Sequence, residues 1–181
     1  MELIEGIKGR RSVRKYEEKP LPHALIAEIV DAARFAPSWK NTQCVRYIVV
    51  EDREKIQQIA SEDCMLNFSF NVKTAGRAAA ILLLCVEKGV SGYEKDGSFS
   101  TPKGEHWQSF DAGVAAEAFC LAAYAHGVGT CIMGIYDEAK LRKVVELPDT
   151  LEIAALIPMG FPAASPSAPP RKDVTELLSF Q

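Results

Sequence analysis

A run of nine consecutive apolar residues, from Ala78 to Val86, indicates that this chain folds around a buried strand. The run is too short to cross a membrane as a helix. Its content of Ile and Leu is typical of a strand that is buried on both faces of a sheet. Leu151 to Met159 has the same character and predicts a second buried strand. Both segments are therefore expected in the interior of a sheet.

Shorter patterns predict the other elements, and their alternation along the chain indicates an α/β or α+β domain without internal repeats. The amphipathic stripe from Leu25 to Ala33 predicts a helix that ends before Pro37. Residues 107–126 are alanine-rich and apolar all round, as in a helix buried in a large core or a dimer interface. The remaining predicted elements are a short helix at Leu3–Ile7, a helix capped by Asp52, helices at Asp137–Val145 and Asp173–Phe180, and strands at Val45–Glu51 and Thr130–Met133.

Two segments give no clear pattern. Residues 61–77 fit neither the helical nor the strand period. Residues 87–105 contain four glycines and Pro102, which predicts a loop long enough to be functional or mobile.

The length of 181 residues is enough for one compact domain, residues 1–181, and too short for two independent cores. Residues 161–181 are expected to form a C-terminal arm, because residues 161–170 contain four prolines. The N-terminus carries acids where a signal peptide carries bases, which favours a cytoplasmic protein without a membrane segment. The five cysteines show no Cys-x-x-Cys spacing, so no metal site or disulfide framework is predicted, and Cys85 and Cys120 are expected in the core.

The strongest charge feature is a cluster of four cations in the six residues from Arg10 to Lys15. The formal net charge of the chain is -3, which argues against a general nucleic-acid surface. Arginine forks and the Ser12 hydroxyl match the oxygens of a phosphate monoester. A solvated charge run is an equally good interpretation at this point, and Lys8, Arg10 and Arg11 also complement the negative end of the first helix.

A second polar segment, residues 36–43, follows the break at Pro37 and carries hydroxyl and amide side chains. Such groups can recognise the donors and acceptors at the edge of a heteroaromatic ring. Taken alone, the segment is better interpreted as a polar loop between a helix and a strand. Phosphate-binding loops, dinucleotide fingerprints, zinc-protease motifs and nucleophile elbows are not found in the sequence.

Taken in order, these segments resemble the nitroreductase family of FMN-dependent oxidoreductases. The resemblance covers nearly the whole chain, and the ordered set is more specific than any one motif. It rests on Arg10-Arg-Ser-x-Arg14, Ala36-Pro-Ser-x-x-Asn-x-Gln43, Asp111-Ala-Gly-x-Ala-Ala116, Gly127-Val-Gly-Thr-Cys-x-x-Gly134, and Met159-Gly-Phe-Pro162 leading to Pro170-Arg-Lys172.

The resemblance implies an α+β fold, a three-layer α-β-α sandwich around a central mixed, mainly antiparallel sheet. It also implies an intertwined homodimer that holds FMN at the subunit interface. By position, Arg10, Ser12 and Arg171 would hold the FMN phosphate. Arg11 would lie nearby, and Arg14 would lie toward the pyrimidine side of the ring.

The same resemblance assigns further cofactor contacts. The partner subunit would contribute Pro37, Ser38, Trp39 and Asn41. Asn71, with Asn67 as the alternative, would meet the edge of the ring. The segment Ile132-Met133-Gly134 would place backbone groups near the flavin N5.

The function implied is an FMN-dependent oxidoreductase that uses NAD(P)H to reduce nitroaromatic, quinone or similar electron-poor acceptors in a ping-pong scheme. Because the hydride chemistry belongs to the cofactor, no residue is assigned as a catalytic acid, base or nucleophile, and Arg14 is expected to raise the reduction potential. One alternative is dehalogenase-like or flavin-consuming chemistry on the same fold, decided by residues 87–105. The other is a flavin-binding or anion-binding dimer without turnover. Neither a nucleic acid nor a membrane is an expected partner.

Overall fold

The structure is a computed structural model that describes residues 2–181. Its helices are α1 (Leu3–Gly9), α2 (His23–Ala33), α3 (Arg53–Ile59), α4 (Ser69–Ala75), α5 (His106–Ala125), α6 (Glu138–Val145) and α7 (Val174–Leu177). Its strands are β1 (Val45–Val50), β2 (Ala80–Glu87), β3 (Gly129–Thr130) and β4 (Leu151–Gly160), and a 3-10 turn covers Trp39–Asn41.

The strands form one sheet in the order β1-β2-β4-β3, with antiparallel pairing between all neighbours. The two continuous apolar runs become β2 and β4, which occupy the central positions as predicted. The strand predicted at Thr130–Met133 is shorter than expected. It is β3 followed by one isolated bridge between Met133 and Leu156. A further isolated bridge, between Ser12 and Thr130, runs parallel and attaches the N-terminal segment to this edge.

Side chains of β2 alternate between two hydrophobic cores, one on each face of the sheet. Ile81 and Leu83 pack with residues of α3, α4 and α6, whereas Leu82 and Leu84 pack with residues of α2 and α5. All four side chains are fully buried. The predicted α+β fold with three layers is confirmed.

Caps and turns fix the ends of several elements where the sequence predicted them. The Asp52 carboxylate accepts the N–H of Lys55 at 2.8 Å, and the Asp137 carboxylate accepts that of Lys140 at 3.1 Å. Gly127 follows α5 with a φ of 74°, the left-handed conformation that glycine adopts at low cost. All five cysteines are buried and free, which confirms the prediction for Cys85 and Cys120.

The segment without a clear pattern, residues 61–77, contains α4. This helix has only seven residues. Phe70 within it and Phe68 at its N-cap are exposed rather than buried. Only the smaller apolar residues of α4, Val72 and Ala75, pack on the core, so its largest apolar side chain does not mark the buried face. Two residues in left-handed conformation, Leu66 and Asn67, turn the chain just before it.

The C-terminal segment departs from the body of the fold after Ala163, whose N–H donates to the carbonyl of Lys15 at 3.0 Å. Beyond it, every side chain except Pro166 is exposed. The helix predicted at Asp173–Phe180 is restricted to α7, with Asp173 as its N-cap. None of the helices in the described part of the chain is long and apolar enough to cross a membrane.

Candidate functional site

The cationic segment Arg10–Arg14 runs alongside β3. Val13 donates its N–H to the carbonyl of Thr130 at 2.8 Å, and Ser12 forms the parallel bridge to the same residue. The side chain of Val13 is buried against Gly129, where a Cβ would lie only 2.7 Å from that of Val13. Glycine at position 129 therefore allows the two segments to approach.

Because an extended chain alternates its side chains, Arg10, Ser12 and Arg14 share the face opposite Val13. All three act on the thiol of Cys131. Burial raises the pKa of that thiol, and the charges of Arg14 and Arg10 and a hydrogen bond from Ser12 oppose the rise. The spacing Arg-x-Ser-x-Arg thus gathers two cations and a hydroxyl in one place.

Arg10 has an unfilled hydrogen-bonding position. Its Nε is buried and has no hydrogen-bond partner among residues 2–181, and the nearest acid, Glu117, lies 3.6 Å away through Oε1. The guanidinium of Arg14 sits 5.6 Å from the ring centre of Phe70, and its Nη1 donates to the carbonyl of Ser12 at 3.1 Å.

Arg11 faces the other way. Its Nη1 donates to the carbonyls of Lys8 at 2.6 Å and Arg10 at 2.8 Å, so it satisfies the carbonyl end of α1. A cavity of about 320 Å³ opens beside Arg10 and Arg11, with walls from residues 127–130 and 162–166. The structure therefore separates Arg11 from the face shared by Ser12 and Arg14.

Residues 132–134 continue from β3 as a strip with free backbone donors. Met133 is pinned to Leu156 by two backbone hydrogen bonds of 2.8 and 3.0 Å. Within the described chain, no hydrogen bond takes the N–H of Ile132 or of Gly134. The Ile132 side chain is 46% exposed, and a Cβ at Gly134 would meet nothing within 4 Å.

Asn71 lies next to the end of this strip. Its amide Nδ2 donates to the carbonyl of Ile135 at 3.2 Å, and the side chain is buried. Asn67, the alternative, is exposed. Phe70 and Ile135 are exposed beside these polar groups and give the site an apolar rim.

The loop at residues 37–43 lies elsewhere in the chain, beside α5. The Ser38 hydroxyl accepts the N–H of Gln43 at 2.9 Å, and Trp39 donates its N–H to the Asp111 carboxylate at 3.0 Å. Pro37 and Asn41 are exposed. Among residues 2–181, no hydrogen bond, ion pair or ring contact joins this loop to the strip at residues 132–134.

Arg171 is also apart from the cationic segment. It is exposed, and its Nη1 donates only to the neighbouring carbonyl of Pro170, at 3.4 Å. One chain thus brings together Arg10, Ser12, Arg14, Asn71 and the strip at residues 132–134. It leaves Arg171 and the loop at residues 37–43 at other places on its surface.

Sequence reasoning assigned no role to Thr130, Phe70 or the Asp111 side chain. Thr130 is the buried anchor of Ser12, and Phe70 lies under Arg14. Phe70 precedes Asn71 in the sequence, but nothing in the pattern shows that α4 approaches the N-terminal segment. That proximity depends on how α4 packs, which is a tertiary property.

These groups suit a planar ligand that carries an anionic group. Guanidinium groups and a hydroxyl bind phosphate oxygens, free backbone N–H groups donate to acceptors on a ring edge, and Phe70 and Ile135 offer apolar contact. In the part of the chain that the structure describes, no group of three His, Cys, Asp or Glu residues is placed to hold a metal ion.

Comparison with known proteins points to one family. The model described as the Nitroreductase family matches residues 7–161. A protein of Methanothermobacter thermautotrophicus, provisionally named NADH dehydrogenase/NAD(P)H nitroreductase, is 32% identical over 170 residues, which cover 92% of this chain and 80% of that protein.

Solved structures share the fold. A nitroreductase family protein from Clostridium novyi NT is 29% identical with a TM-score of 0.76, over 90% of this chain and 87% of that one. An iodotyrosine deiodinase structure bound to FMN and 3-iodo-L-tyrosine has a TM-score of 0.78 at 22% identity, over 96% of each chain.

Proposed function

The chain belongs to the nitroreductase family, and on that premise we propose that it is an FMN-dependent oxidoreductase that takes electrons from NAD(P)H. Its second substrates are nitroaromatic, quinone or similar electron-poor acceptors. Support comes from the name of its relative at 32% identity, which refers to an NADH dehydrogenase and NAD(P)H nitroreductase. The residues of the candidate site provide independent support.

The observation that carries the proposal is the alignment of Arg10, Ser12 and Arg14 on one face, next to the strip at residues 132–134. FMN ends in a phosphate dianion and carries ring acceptors at N1, O2, O4 and N5. Within the described chain, the buried Nε of Arg10 has an ion pair with Glu117 at 3.6 Å but no hydrogen-bond partner, and the N–H groups of Ile132 and Gly134 are free of hydrogen bonds. The site therefore offers side-chain donors for the phosphate and backbone N–H donors for the ring acceptors.

Each of these groups has a distinct proposed role. Arg10 and Ser12 bind the phosphate, and the backbone N–H groups of the strip orient the ring edge near N5. Arg14 lies toward the pyrimidine, where its charge favours the reduced cofactor. Asn71, whose amide donates to the carbonyl of Ile135, would meet the edge of the ring.

The remaining assigned residues act in a homodimer in this proposal. Pro37, Ser38, Trp39 and Asn41 complete the site of the partner subunit, and the C-terminal arm returns Arg171 to the phosphate. The exposure of Pro37, Asn41 and Arg171 in the single chain supports that arrangement, because it leaves these residues available for contacts across a subunit interface.

When bound, FMN supplies the chemistry by accepting a hydride equivalent from NAD(P)H and passing electrons to the acceptor. The chain would hold the cofactor, would leave one face of its ring open to substrates with the exposed Ile132 and Phe70 as neighbours, and would tune its potential through Arg14. Both substrates would use that same face in turn, which requires a ping-pong order.

Initial velocities test this proposal. With NAD(P)H and a quinone varied together, double-reciprocal plots should give parallel lines, and intersecting lines would contradict a shared face. The acceptor screen should include a halogenated phenol beside nitroaromatics and quinones. If the halogenated phenol is the only compound in the screen that is turned over, the proposed acceptor class is wrong and the reaction is a dehalogenation.

A further inference from the structure

We propose that Asp111 is a positioning residue, whose buried carboxylate holds the loop at residues 37–43 in its cofactor-facing conformation and joins it to residues 87–105. The inference rests on the proposed function, since it assigns a supporting group to the loop that completes the FMN site. Asp111 itself touches neither cofactor nor acceptor in this account.

The carboxylate is satisfied by three neutral donors, two from residues 39–44 and one from residues 87–105. Asp111 is 2% exposed. Its oxygens accept the N–H of Trp39 at 3.0 and 3.1 Å, the hydroxyl of Ser91 at 2.7 Å and the thiol of Cys44 at 3.7 Å. Within residues 2–181 no Lys, Arg or His forms an ion pair with it. A buried charge needs such donors, so removing it disturbs every segment that supplies one.

The loop that Asp111 holds has an unfavourable backbone. Lys40, Asn41 and Gln43 have φ values of 46°, 55° and 52°, in the left-handed region that residues other than glycine rarely adopt. Three such residues within four positions persist only where the surroundings fix them. The Trp39–Asp111 hydrogen bond lies directly before this stretch, and the bond from Gln43 to the Ser38 hydroxyl closes it.

Further contacts connect the same loop to residues 87–105 and the start of α5. The ammonium of Lys40 pairs with Glu94 at 2.6 Å, and the rings of Trp39 and Trp107 are 4.3 Å apart. Ser91 donates to the carboxylate that also holds Trp39. Both loops therefore share one buried anchor, and a change at Asp111 should loosen them together.

The closely matched control is Gln108, one turn earlier on α5. It is also a buried polar residue, and its Oε1 accepts the N–H of Gly89 at 2.7 Å. Gln108→Ala therefore removes a buried acceptor of the same helix that holds only the start of residues 87–105. It should lower stability and leave the loop at residues 37–43 in place.

The experiment compares full-length Asp111→Ala, Asp111→Asn and Gln108→Ala by FMN titration and by hydrogen exchange of the peptide that contains Trp39. Asp111→Ala should bind FMN at least about tenfold more weakly and exchange faster at residues 37–43. Asp111→Asn should have an FMN affinity and an exchange rate between those of Asp111→Ala and the parent. The remaining amide oxygen still accepts the N–H of Trp39, and the Ser91 hydroxyl can accept from the new amide N–H instead of donating. Gln108→Ala should keep FMN affinity within about twofold.

Equal losses of FMN affinity in Asp111→Ala and Gln108→Ala would overturn the inference. Unchanged hydrogen exchange of the Trp39 peptide in Asp111→Ala would also overturn it, and either result would leave the proposed function intact. If the parent protein binds no FMN, the proposed function fails. The exchange measurement then still decides whether Asp111 orders the loop. Should Asp111→Ala not fold, Asp111→Asn and Ser91→Ala provide the same comparison, with smaller increases in exchange expected at residues 37–43.

Discussion

At the scale of single residues, the cations of the N-terminal segment differ in what their charged groups contact. Arg10 and Arg14 share a face with Ser12, and Arg11 is bonded to the carbonyls of Lys8 and Arg10. Lys15 is exposed and has no ion pair in the described chain. A cluster that looks uniform in the sequence therefore contains two proposed ligand-binding groups, one helix-end group and one solvated charge.

Arg14 and Lys15 give a matched pair for testing the proposed tuning of the cofactor. Arg14→Gln should lower the midpoint potential of bound FMN by on the order of 30 mV, the equivalent of about 1.4 kcal/mol for a two-electron couple. The physical reason is the loss of a cation beside the pyrimidine. Lys15→Gln should leave the potential unchanged. Spectroelectrochemical titration measures both, and equal shifts would show that only net charge matters.

Tyr16 links the N-terminal segment to β4 and makes stability depend on alkaline pH. Its hydroxyl donates to the carbonyls of Val13 at 2.7 Å and Pro158 at 3.0 Å, and burial raises its pKa far above 10. The neutral phenol is therefore favoured by the fold. Its contribution is complete below the unfolded pKa of about 10 and falls as pH rises beyond it.

Chemical denaturation between about pH 8 and pH 11.5 should show this loss. The contribution of Tyr16 to the free energy of unfolding should fall by about 1.4 kcal/mol for each pH unit above 10. Tyr16→Phe should flatten the decline without abolishing it, because burial also raises the pKa of Tyr47 and Tyr136. An equal slope in Tyr16→Phe and the parent would contradict the role given to Tyr16.

At the scale of elements, β3 and the strip that follows it perform different tasks within six residues. Gly129 lies where Val13 packs, whereas a Cβ added at Gly134 would have no atom of the chain within 4 Å. The first glycine serves the fold. The second leaves room for a ligand in the proposed function.

Alanine substitutions separate the two tasks. Gly129→Ala should destabilise the protein by about 1–3 kcal/mol, as overpacking does, because its Cβ would collide with Val13. Gly134→Ala should leave the unfolding midpoint nearly unchanged and weaken FMN binding. Thermal unfolding without cofactor and FMN titration measure the two effects. Undiminished FMN affinity in a folded Gly134→Ala protein would argue against the position assigned to the strip.

The sequence predicted β2 and β4 because a strand covered on both faces must be apolar along its whole length. It did not predict α4, because Phe68 and Phe70 are exposed there and break the usual link between hydrophobicity and burial. The alternation in Arg-x-Ser-x-Arg was enough to place three groups together once the segment proved extended. The approach of Asn71 to the strip depends on packing between distant segments, which local patterns do not encode.

At the scale of the whole molecule, the chain exposes much apolar surface at its two ends. Leu3, Ile4 and Ile7 of α1 are exposed, and so are residues of the C-terminal arm, where Leu177 is 70% and Phe180 is 90% exposed. Large apolar side chains exposed in such number often mark a surface that a partner covers. This exposure supports the proposed homodimer, in which the loop at residues 37–43 and the cationic segment of different subunits meet.

Mixed dimers test whether one site uses two subunits. Arg10→Ala and Trp39→Ala should each weaken FMN binding in homodimers. A heterodimer of the two variants contains one undamaged site if Arg10 and Trp39 act from different subunits, so it should bind about one FMN per dimer with parental affinity. If both residues of a site came from one chain, every site of the heterodimer would carry one substitution, and its FMN affinity would be as weak as that of the variant homodimers.

The proposed binding of the FMN phosphate by Arg10 and Ser12 can be measured by titrating the cofactor-free protein with FMN and with riboflavin, which lacks the phosphate. We expect one FMN per chain, quenched flavin fluorescence and anaerobic bleaching by NAD(P)H. We also expect much weaker riboflavin binding, and that Arg10→Ala with Ser12→Ala removes the preference for FMN. A protein that stays colourless with FMN, or binds both flavins equally, would contradict the proposed binding.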